Sequence, residues 1–355
     1  TYHAGTPGPS LSLDALRVEG LAWRWRPHPG AWLGVELRAA RAERMVVDSG
    51  PGTGASTPPG TLRWPLALQV ASLSIGELRI DALPPVRAID AAVALGDDQG
   101  AVHRLAVRHA QAENLALAGH LRVATDAGLA VDAEIEAHPA AGPSGPALAW
   151  QAKGRLTGPL SAIDATLHLS GGSPATPRAS APSLQARARL MPWAAWPLSE
   201  LELDTRAFDL AGLSERLPAT AIDGHARIAT QGRDRPAQAQ VQLSNLRPGR
   251  WDQGALPVRH LGLTATAVPD RPQDVTLDRL DLQLSDGPAE AGRLQGSGRW
   301  RDQRLTIDST LSEVQPSRLD RRAAPVRLSG PMTLEVSGLG ASPANANANA
   351  NANAN

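Results

Sequence analysis

Hydrophobic and polar residues alternate with a period of two along most of the chain, up to about Ser337. This spacing places every second side chain on the same face of an extended strand, so one face becomes apolar. The clearest example is the stretch from Leu62 to Val70, in which an apolar side chain occupies every even position. About twenty such stretches recur at roughly 8–12-residue spacing, which predicts an all-β fold.

Turn signals separate these stretches. Glycine supplies positive φ angles and aspartate caps turns, so we expect each signal to join neighbouring antiparallel strands. The signals lie at residues 96–100, 171–172, 286–288 and 296–298. The one helical pattern runs from Asp209 to Leu217, where Leu210, Leu213 and Leu217 have helical spacing before Pro218. We expect this helix to cover part of one sheet face.

Stretches without apolar periodicity indicate the loops and the tail of the chain. Residues 49–60 and 171–182 are predicted to be exposed loops. The Ala-Asn repeats at residues 344–355 offer no surface to bury and are predicted to be a disordered tail. Residues 1–343 are therefore interpreted as one continuous β-rich repeat region.

Internal repeats support this modular interpretation. Residues 245–252 align with residues 313–320 at an offset of 68, and Val258 then aligns with Val326. The turn at residues 156–160 matches that at residues 328–332. At an offset of 106, Phe208, Leu213, Ile222, Gly224, Ala226 and Ile228 fall on Val314, Leu319, Leu328, Gly330, Met332 and Leu334. The repeating unit is a short helical or turn segment followed by alternating strands, which packs mainly on its neighbours.

Composition narrows the function classes. The 35 Lys and Arg residues balance 35 Asp and Glu residues, so the chain lacks the cationic field that supports nucleic-acid binding. Cysteine is absent, which excludes disulfides, thiolate metal sites and cysteine nucleophiles. No window reaches the roughly 18 apolar residues of a membrane helix. The chain starts at Thr1 without a signal-type leader, so we interpret it as a fragment whose start lies upstream.

The sequence contains no motif that indicates an enzyme. Asp132, Glu134 and Glu136 fall on one strand face and are expected to form a solvated charged surface rather than an acid pair. The nine histidines show no metal-ligand spacing. The glycines of residues 50–54 lack the Lys-Ser/Thr of a phosphate loop. No catalytic, cofactor-binding or metal site is therefore predicted.

Two small clusters remain. Arg24 and Arg26 interleave with Trp23 and Trp25, and Arg321 and Arg322 form a second basic pair. Either cluster could contact a nucleic acid or a lipid headgroup, but arginine stems packed on tryptophan are favoured. The apolar sheet face is the remaining feature, since only one helix is predicted to cover it. Two halves of a sandwich that cover each other, or a groove with an apolar lining, both explain such a face.

Several segments resemble the TamB family of translocation and assembly module subunits, within the AsmA-like superfamily of Gram-negative bacteria. The resemblance covers most of residues 9–340. It rests on degenerate strand-and-turn patterns at residues 13–20, 65–68, 73–84 and 209–224 and on the Leu-x-Gly-Pro-Leu turns. It implies an elongated, curled antiparallel β-sheet, shaped like a taco or groove, with very few short helices.

The resemblance also implies a function in outer-membrane biogenesis. The chain would be an N-terminal or middle segment of a longer periplasmic protein, anchored to the inner membrane by an upstream helix. Its groove would carry phospholipid acyl chains, or assist assembly of outer-membrane proteins and autotransporters with the outer-membrane barrel partner TamA. TamA would bind a downstream region that this chain lacks. The family has no catalytic residues, and the Ala-Asn tail has no counterpart in it.

The leading hypothesis is therefore a groove whose strands each contribute inward apolar side chains. The alternative is a structural or adhesive β-solenoid with a filled core and no lipid groove. Such a solenoid would show a shorter and stricter repeat than the offsets of 68 and 106. The candidate groove-lining residues are Leu66, Leu68, Val70, Leu117, Leu121, Leu282, Leu284, Leu305 and Ile307.

Overall fold

Strands dominate the protein. The computed structural model describes residues 10–25, 33–48, 59–81, 83–126, 128–140, 150–171, 182–194, 197–213, 217–230, 232, 235–269, 271, 274–287 and 289–337. Strands account for 72% of this structure and helical turns for 4%, so the prediction of an all-β fold is confirmed. Within the described residues, the helical elements are α1 (Asp97–Gly100), α2 (Pro316–Leu319) and the 3₁₀ turns Leu210–Gly212 and Trp251–Gln253.

The chain divides into two compact units. Unit 1 comprises residues 1–176 and 185–198, and unit 2 comprises residues 177–184 and 199–355. The division falls within β11 (Ser183–Leu190). Unit 1 contains β1 (Ser10–Asp14), β2 (Arg17–Trp25), β3 (Leu33–Asp48), β4 (Leu66–Ile80), β5 (Val86–Gly96), β6 (Val102–Ala112), β7 (Leu115–Ala124), β8 (Ala130–Pro139), β9 (Trp150–Pro159) and β10 (Ile163–Gly171). Unit 2 contains β12 (Leu198–Phe208), β13 (Ile222–Ala229), β14 (Ala237–Asn245), β15 (Val258–Ala267), β16 (Asp274–Ser285), β17 (Glu290–Arg301), β18 (Arg304–Val314) and β19 (Leu328–Ser337).

Unit 1 is an antiparallel meander with one parallel pair. Strands β1 and β2 pair with opposite halves of β3, and β4 to β10 pair antiparallel in chain order. Strands β3 and β4 are parallel, an arrangement that the expectation of antiparallel turns did not include. Parallel neighbours need a crossover of about a dozen residues or more. Residues 49–65, between the two strands, are numerous enough for that crossover.

Unit 2 is antiparallel throughout its assigned pairings, from β12 to β19 in chain order. β-Bulges shift the register between Thr205 and Phe208 and between Leu311 and Val314. A bulge inserts one extra residue into a strand, so it resets which side chains face inward. This explains why the alternation changes phase within these strands although each strand continues.

The repeat at an offset of 106 is confirmed in three dimensions. Ala207 and Glu313, at equivalent positions of the two bulges, have φ angles of 45° and 55°. The 3₁₀ turn after the first bulge corresponds to α2 after the second. Gly224 and Gly330 follow with φ angles of 153° and 126°, which favour glycine. The offset of 68 is less regular, because Val258 begins β15 whereas Val326 precedes β19 by two residues.

Several local predictions are corrected. Gly296 and Gly298 lie within β17 and do not form a turn. The predicted helix from Asp209 to Leu217 is only a 3₁₀ turn over residues 210–212, capped by the Asp209 side chain. Residues 214–216, like most of the two predicted loops and the Ala-Asn tail, lie outside the described residues. The strand predicted from Leu62 begins at Leu66.

A buried cluster holds the middle of unit 1 together. Ile75, Ile89, Ala91 and Ala110 are buried. Partly buried side chains pack around them, namely Met45, Leu73, Leu78, Val86, Leu105, Val107 and Leu117. These side chains come from β3 to β7, so long-range strand pairing is needed to assemble the cluster.

Candidate functional site

Apolar side chains in unit 1 form a row that runs across the strands. Residues directly opposite each other in paired strands lie on the same face of the sheet. Following the register from β2 to β10 gives one apolar residue on each strand. This first row is Leu21, Leu37, Val70, Val93, Leu105, Leu121, Ala133, Leu156 and Ala165.

A second row runs beside it, displaced by two residues along each strand. Trp23, Val35, Leu68 and Leu95 lie on β2 to β5. His103, Val123, Val131 and Gly158 lie on β6 to β9. On β8 to β10 the apolar face remains open, since Ile135, Leu156 and Leu167 are 51%, 37% and 41% exposed. This part of unit 1 therefore has apolar side chains that water reaches.

Unit 2 contains the most regular row. Five consecutive strands, β14 to β18, each place a leucine opposite the next, and all five side chains are half-buried. We call this set the leucine row. It consists of Leu243, Leu261, Leu282, Leu294 and Leu311. Gly224 on β13 and Gly330 on β19 continue it at either end.

The structure places all nine candidate groove residues on strands. In unit 1, Val70 and Leu121 share the first row, Leu68 belongs to the second, and Leu66 lies opposite Leu33. Leu117 packs against the buried cluster, as does Leu105 of the first row, and Val70 of that row is itself buried.

The candidate residues of unit 2 fall on four different rows. Leu282 belongs to the leucine row, and Leu284 lies between Val258 and Gly292. Leu305 is opposite Trp300 and Val336. Ile307 is opposite Gly298 and Leu334. Sequence reasoning did not select the other four members of the leucine row, although Val241/Leu243 and Leu261/Leu263 carry the same alternation.

Glycines on these faces allow strands to approach each other closely. A Cβ atom added to Gly119 in unit 1 would collide with the carbonyl oxygen of Glu134 on the next strand. A Cβ atom added to Gly296 in unit 2 would collide with the carbonyl oxygen of Asp308 in the same way. Glycine in a strand often marks such a close approach. These positions explain why Gly296 resembles a turn in the sequence although it lies in a strand.

The opposite face of unit 1 is charged and internally paired. Glu134 lies 3.1 Å from Arg155, and Glu136 lies 2.6 Å from Lys153. Asp132 is 3.4 Å from the same Arg155. The expectation that these three carboxylates form a charged strand face, rather than an acid pair, is confirmed.

The charged face of unit 2 is also internally paired. Asp274 accepts hydrogen bonds from Arg299 at 2.8 Å and from Arg301 at 2.9 Å, and these bonds hold the pKa of Asp274 well below its ordinary value. Arg293 donates a hydrogen bond to Asp281, and this bond holds the pKa of Asp281 below its ordinary value. Both aspartates contact arginines on the neighbouring β17, so the ion pairs fix the pairing of β16 with β17.

One arginine of each basic cluster is ion-paired. Arg24 lies 3.1 Å from Glu36, while Arg26 lies outside the described residues. Trp23 is 62% exposed. Arg322 binds Asp320 through its side chain and its backbone N–H, and these bonds lower the pKa of Asp320 to about 2.

Other kinds of site were sought in the same ranges. Among the residues that the structure describes, no three His, Asp or Glu side chains converge in a way that could hold a metal ion. None of the helical elements in the described ranges is long and apolar enough to cross a bilayer. The apolar rows are therefore the most extensive feature that could bind a ligand.

No known protein family matches this chain, and no match was found among curated proteins or solved structures.

Proposed function

We propose that this chain is a segment of a β-groove protein that carries phospholipid acyl chains between membranes. In this proposal the protein lies in the periplasm of a Gram-negative bacterium, is anchored to the inner membrane, and acts in outer-membrane biogenesis. In the same proposal, the protein also acts with TamA in the assembly of outer-membrane proteins and autotransporters. The proposal rests on the apolar rows together with the sequence resemblance to the TamB family.

The leucine row is the observation that carries the proposal. Neighbouring strands are about 4.8 Å apart, so five strands extend the row over about 19 Å. Its members are half-buried, which leaves apolar area that a ligand can cover. Burial of each methylene of an acyl chain would contribute about 0.8 kcal/mol. Because successive positions along the row are all leucine, a chain that slides by one strand meets a similar surface.

Unit 1 offers a comparable surface of its own. The first row crosses nine strands, and on β8 to β10 Leu156 of this row and its neighbours Ile135 and Leu167 are exposed. A contiguous patch of exposed apolar side chains, such as that on β8 to β10, marks a binding surface more often than an isolated exposed residue does. Both units therefore support the same kind of ligand.

One observation favours the structural alternative. The buried cluster around Ile75 and Ile89 fills the middle of unit 1 with side chains. A β-solenoid or scaffold with a filled core would extend that packing along the whole chain and would bind no lipid. The two proposals differ in whether lipid accompanies the purified protein.

The test is native mass spectrometry of the 355-residue chain purified from a Gram-negative periplasm, followed by lipid extraction. We expect phospholipid to co-purify and to be released on unfolding. Leu282→Asp places a charge in the leucine row, and Leu68→Asp does so in unit 1; both variants should lose lipid. Leu282→Asn tests polarity without charge and guards against a folding defect.

The matched control is Leu246→Asp, because Leu246 is 65% exposed and lies in the connection after β14, outside the rows. It should retain lipid at the wild-type level. A folded, lipid-free wild-type protein, or folded Leu282 variants that bind as much lipid as the control, would contradict the groove and favour the scaffold.

A further inference from the structure

A short segment before β4 lies at one end of β5 to β7 in unit 1. Residues 60–64, which we call the strap, bind the turn after β7. The backbone N–H of Leu62 donates to the carbonyl oxygen of Thr125 at 2.9 Å. The hydroxyl of Thr61 lies 3.0 Å from the same carbonyl and 2.9 Å from Asp126 Oδ1. Arg63 binds the Asp126 carboxylate, which lowers the pKa of Asp126.

His103 joins the strap to the end of β5. Its Nδ1 accepts a hydrogen bond from the backbone N–H of Gly96 at 3.0 Å. Its Nε2 lies 2.8 Å from the carbonyl oxygen of Leu62 in the strap. The Gly96 N–H can only donate, and the Leu62 carbonyl can only accept. Both bonds therefore form together only when the imidazole is neutral and carries its proton on Nε2.

Protonation removes this arrangement. A protonated imidazole is a donor at both nitrogens, so Nδ1 would point a proton at the Gly96 N–H. Imidazole ordinarily takes up a proton between about pH 5 and pH 8. The Gly96 bond would then be lost, and the two donors would repel each other. The second bond, to Leu62, would no longer be supported by a fixed ring position.

The charged groups on the elements beside His103 either bind one another or face away from the ring. Asp97, after β5, lies 2.8 Å from Arg104 on β6. Arg63 of the strap binds Asp126 after β7. Arg122 on β7 lies opposite Arg104, on the sheet face away from His103. Both ring nitrogens of His103 bind backbone atoms, of Gly96 and Leu62, rather than any of these charged side chains.

The position of His103 connects the strap to the apolar rows. His103 lies on the second row opposite Val123, and it is half-buried. Behind the strap, Thr125 is fully buried and its hydroxyl donates to the Gly100 carbonyl at 2.8 Å. Release of the strap would therefore expose Thr125 and the end of the second row.

We propose that His103 makes the strap a pH-sensitive closure: neutral His103 holds residues 60–64 across the strand ends, and its protonation releases them. The proposal concerns the fold of unit 1 and does not depend on lipid binding. It assigns a role to one histidine among nine that sequence patterns do not distinguish.

Hydrogen exchange of the intact chain, read by mass spectrometry at about pH 7.5 and about pH 5.5 and corrected for intrinsic exchange rates, tests this closure. Protection of residues 60–64 and 95–100 should fall by roughly five- to tenfold at the lower pH, the scale of one lost hydrogen bond. Protection of β17 in unit 2 should not change, which distinguishes strap release from global unfolding.

Two variants make the test specific. His103→Gln keeps an acceptor and a donor but does not titrate, so its strap protection should not depend on pH. His120→Gln removes an exposed histidine on the charged face of β7 and should behave like wild type. Strap protection that is independent of pH in wild type, or equally pH-dependent in His103→Gln, would overturn the proposal.

Discussion

The two units build similar apolar faces but close their strand ends differently. Unit 1 uses the strap, whose hydrogen bonds gather at the buried Thr125. In unit 2 the buried Thr220 binds the backbone at the 3₁₀ turn after β12, and the buried Ser285 binds the backbone of the short turn between β16 and β17. The faces depend on alternation repeated along every strand, whereas each end depends on a few specific bonds. Loss of one side-chain hydrogen bond should therefore destabilise an end more than a face.

The faces also share a dependence on glycine. Gly119 in unit 1 and Gly296 in unit 2 both lie against a carbonyl oxygen of the next strand. If the two sheets are built in the same way, equivalent substitutions should have equivalent effects.

The largest effect is expected from an added methyl group at these glycines. Gly119→Ala and Gly296→Ala should each lower the free energy of unfolding by about 1–3 kcal/mol, because the backbone of the next strand must move. Denaturant unfolding measures the change. Gly212→Ala is the control, since an added Cβ there meets nothing within 4 Å. If only one of the two variants kept the wild-type free energy of unfolding, the two sheets would not depend on glycine in the same way.

A smaller effect is expected at the strand ends. The Thr220 hydroxyl accepts from the Leu210 N–H at 2.9 Å and donates to the Phe208 carbonyl at 3.1 Å, whereas the Thr125 hydroxyl donates once. Thr220→Val should therefore cost about 2 kcal/mol and Thr125→Val about 1 kcal/mol.

Thermal and denaturant unfolding of these valine variants provide the measurement. Thr166→Val, at an exposed position on β10, is the control and should change stability little. Equal losses for Thr125→Val and Thr220→Val would show that the number of bonds does not decide the stability of the two ends.

The smallest effect concerns acid. Arginines depress the pKa of Asp274 in unit 2 and of Asp90 in unit 1. A depressed pKa means that the ionised form is favoured by folding, so this stabilisation is present above the ordinary value of about 3.9 and is lost as pH falls below it. Asp274→Asn should flatten the acid side of the stability profile more than Asp90→Asn, because Asp274 binds two arginines and is less exposed.

Denaturant midpoints between about pH 5 and pH 2 measure this difference, over the range in which carboxylates titrate. Asp308→Asn is the control, since its carboxylate accepts from the Thr333 hydroxyl rather than from an arginine. A steeper effect at Asp90 would mean that the ion pairs of unit 1 are the stronger ones.

Much of the fold could be predicted from local patterns. Period-two alternation identified the strand that contains Leu282, and the match between Phe208 and Val314 identified a repeat whose two copies the structure shows to be equivalent bulges. Glycine was misinterpreted at Gly296, because a glycine that admits a neighbouring strand has the same sequence appearance as one in a turn. The helix at Asp209 was overestimated because leucine spacing alone does not show where a turn ends.

The sequence by itself determined the all-β class, the alternation of apolar and charged faces, and the absence of cysteine chemistry, because each follows from residue type and short-range spacing. Only the tertiary structure decided which leucines lie opposite one another, that β3 and β4 are parallel, and that His103 meets Gly96 and Leu62. These features join residues far apart in the chain. Register and hydrogen-bond partners depend on how strands pair, and no local pattern contains that information.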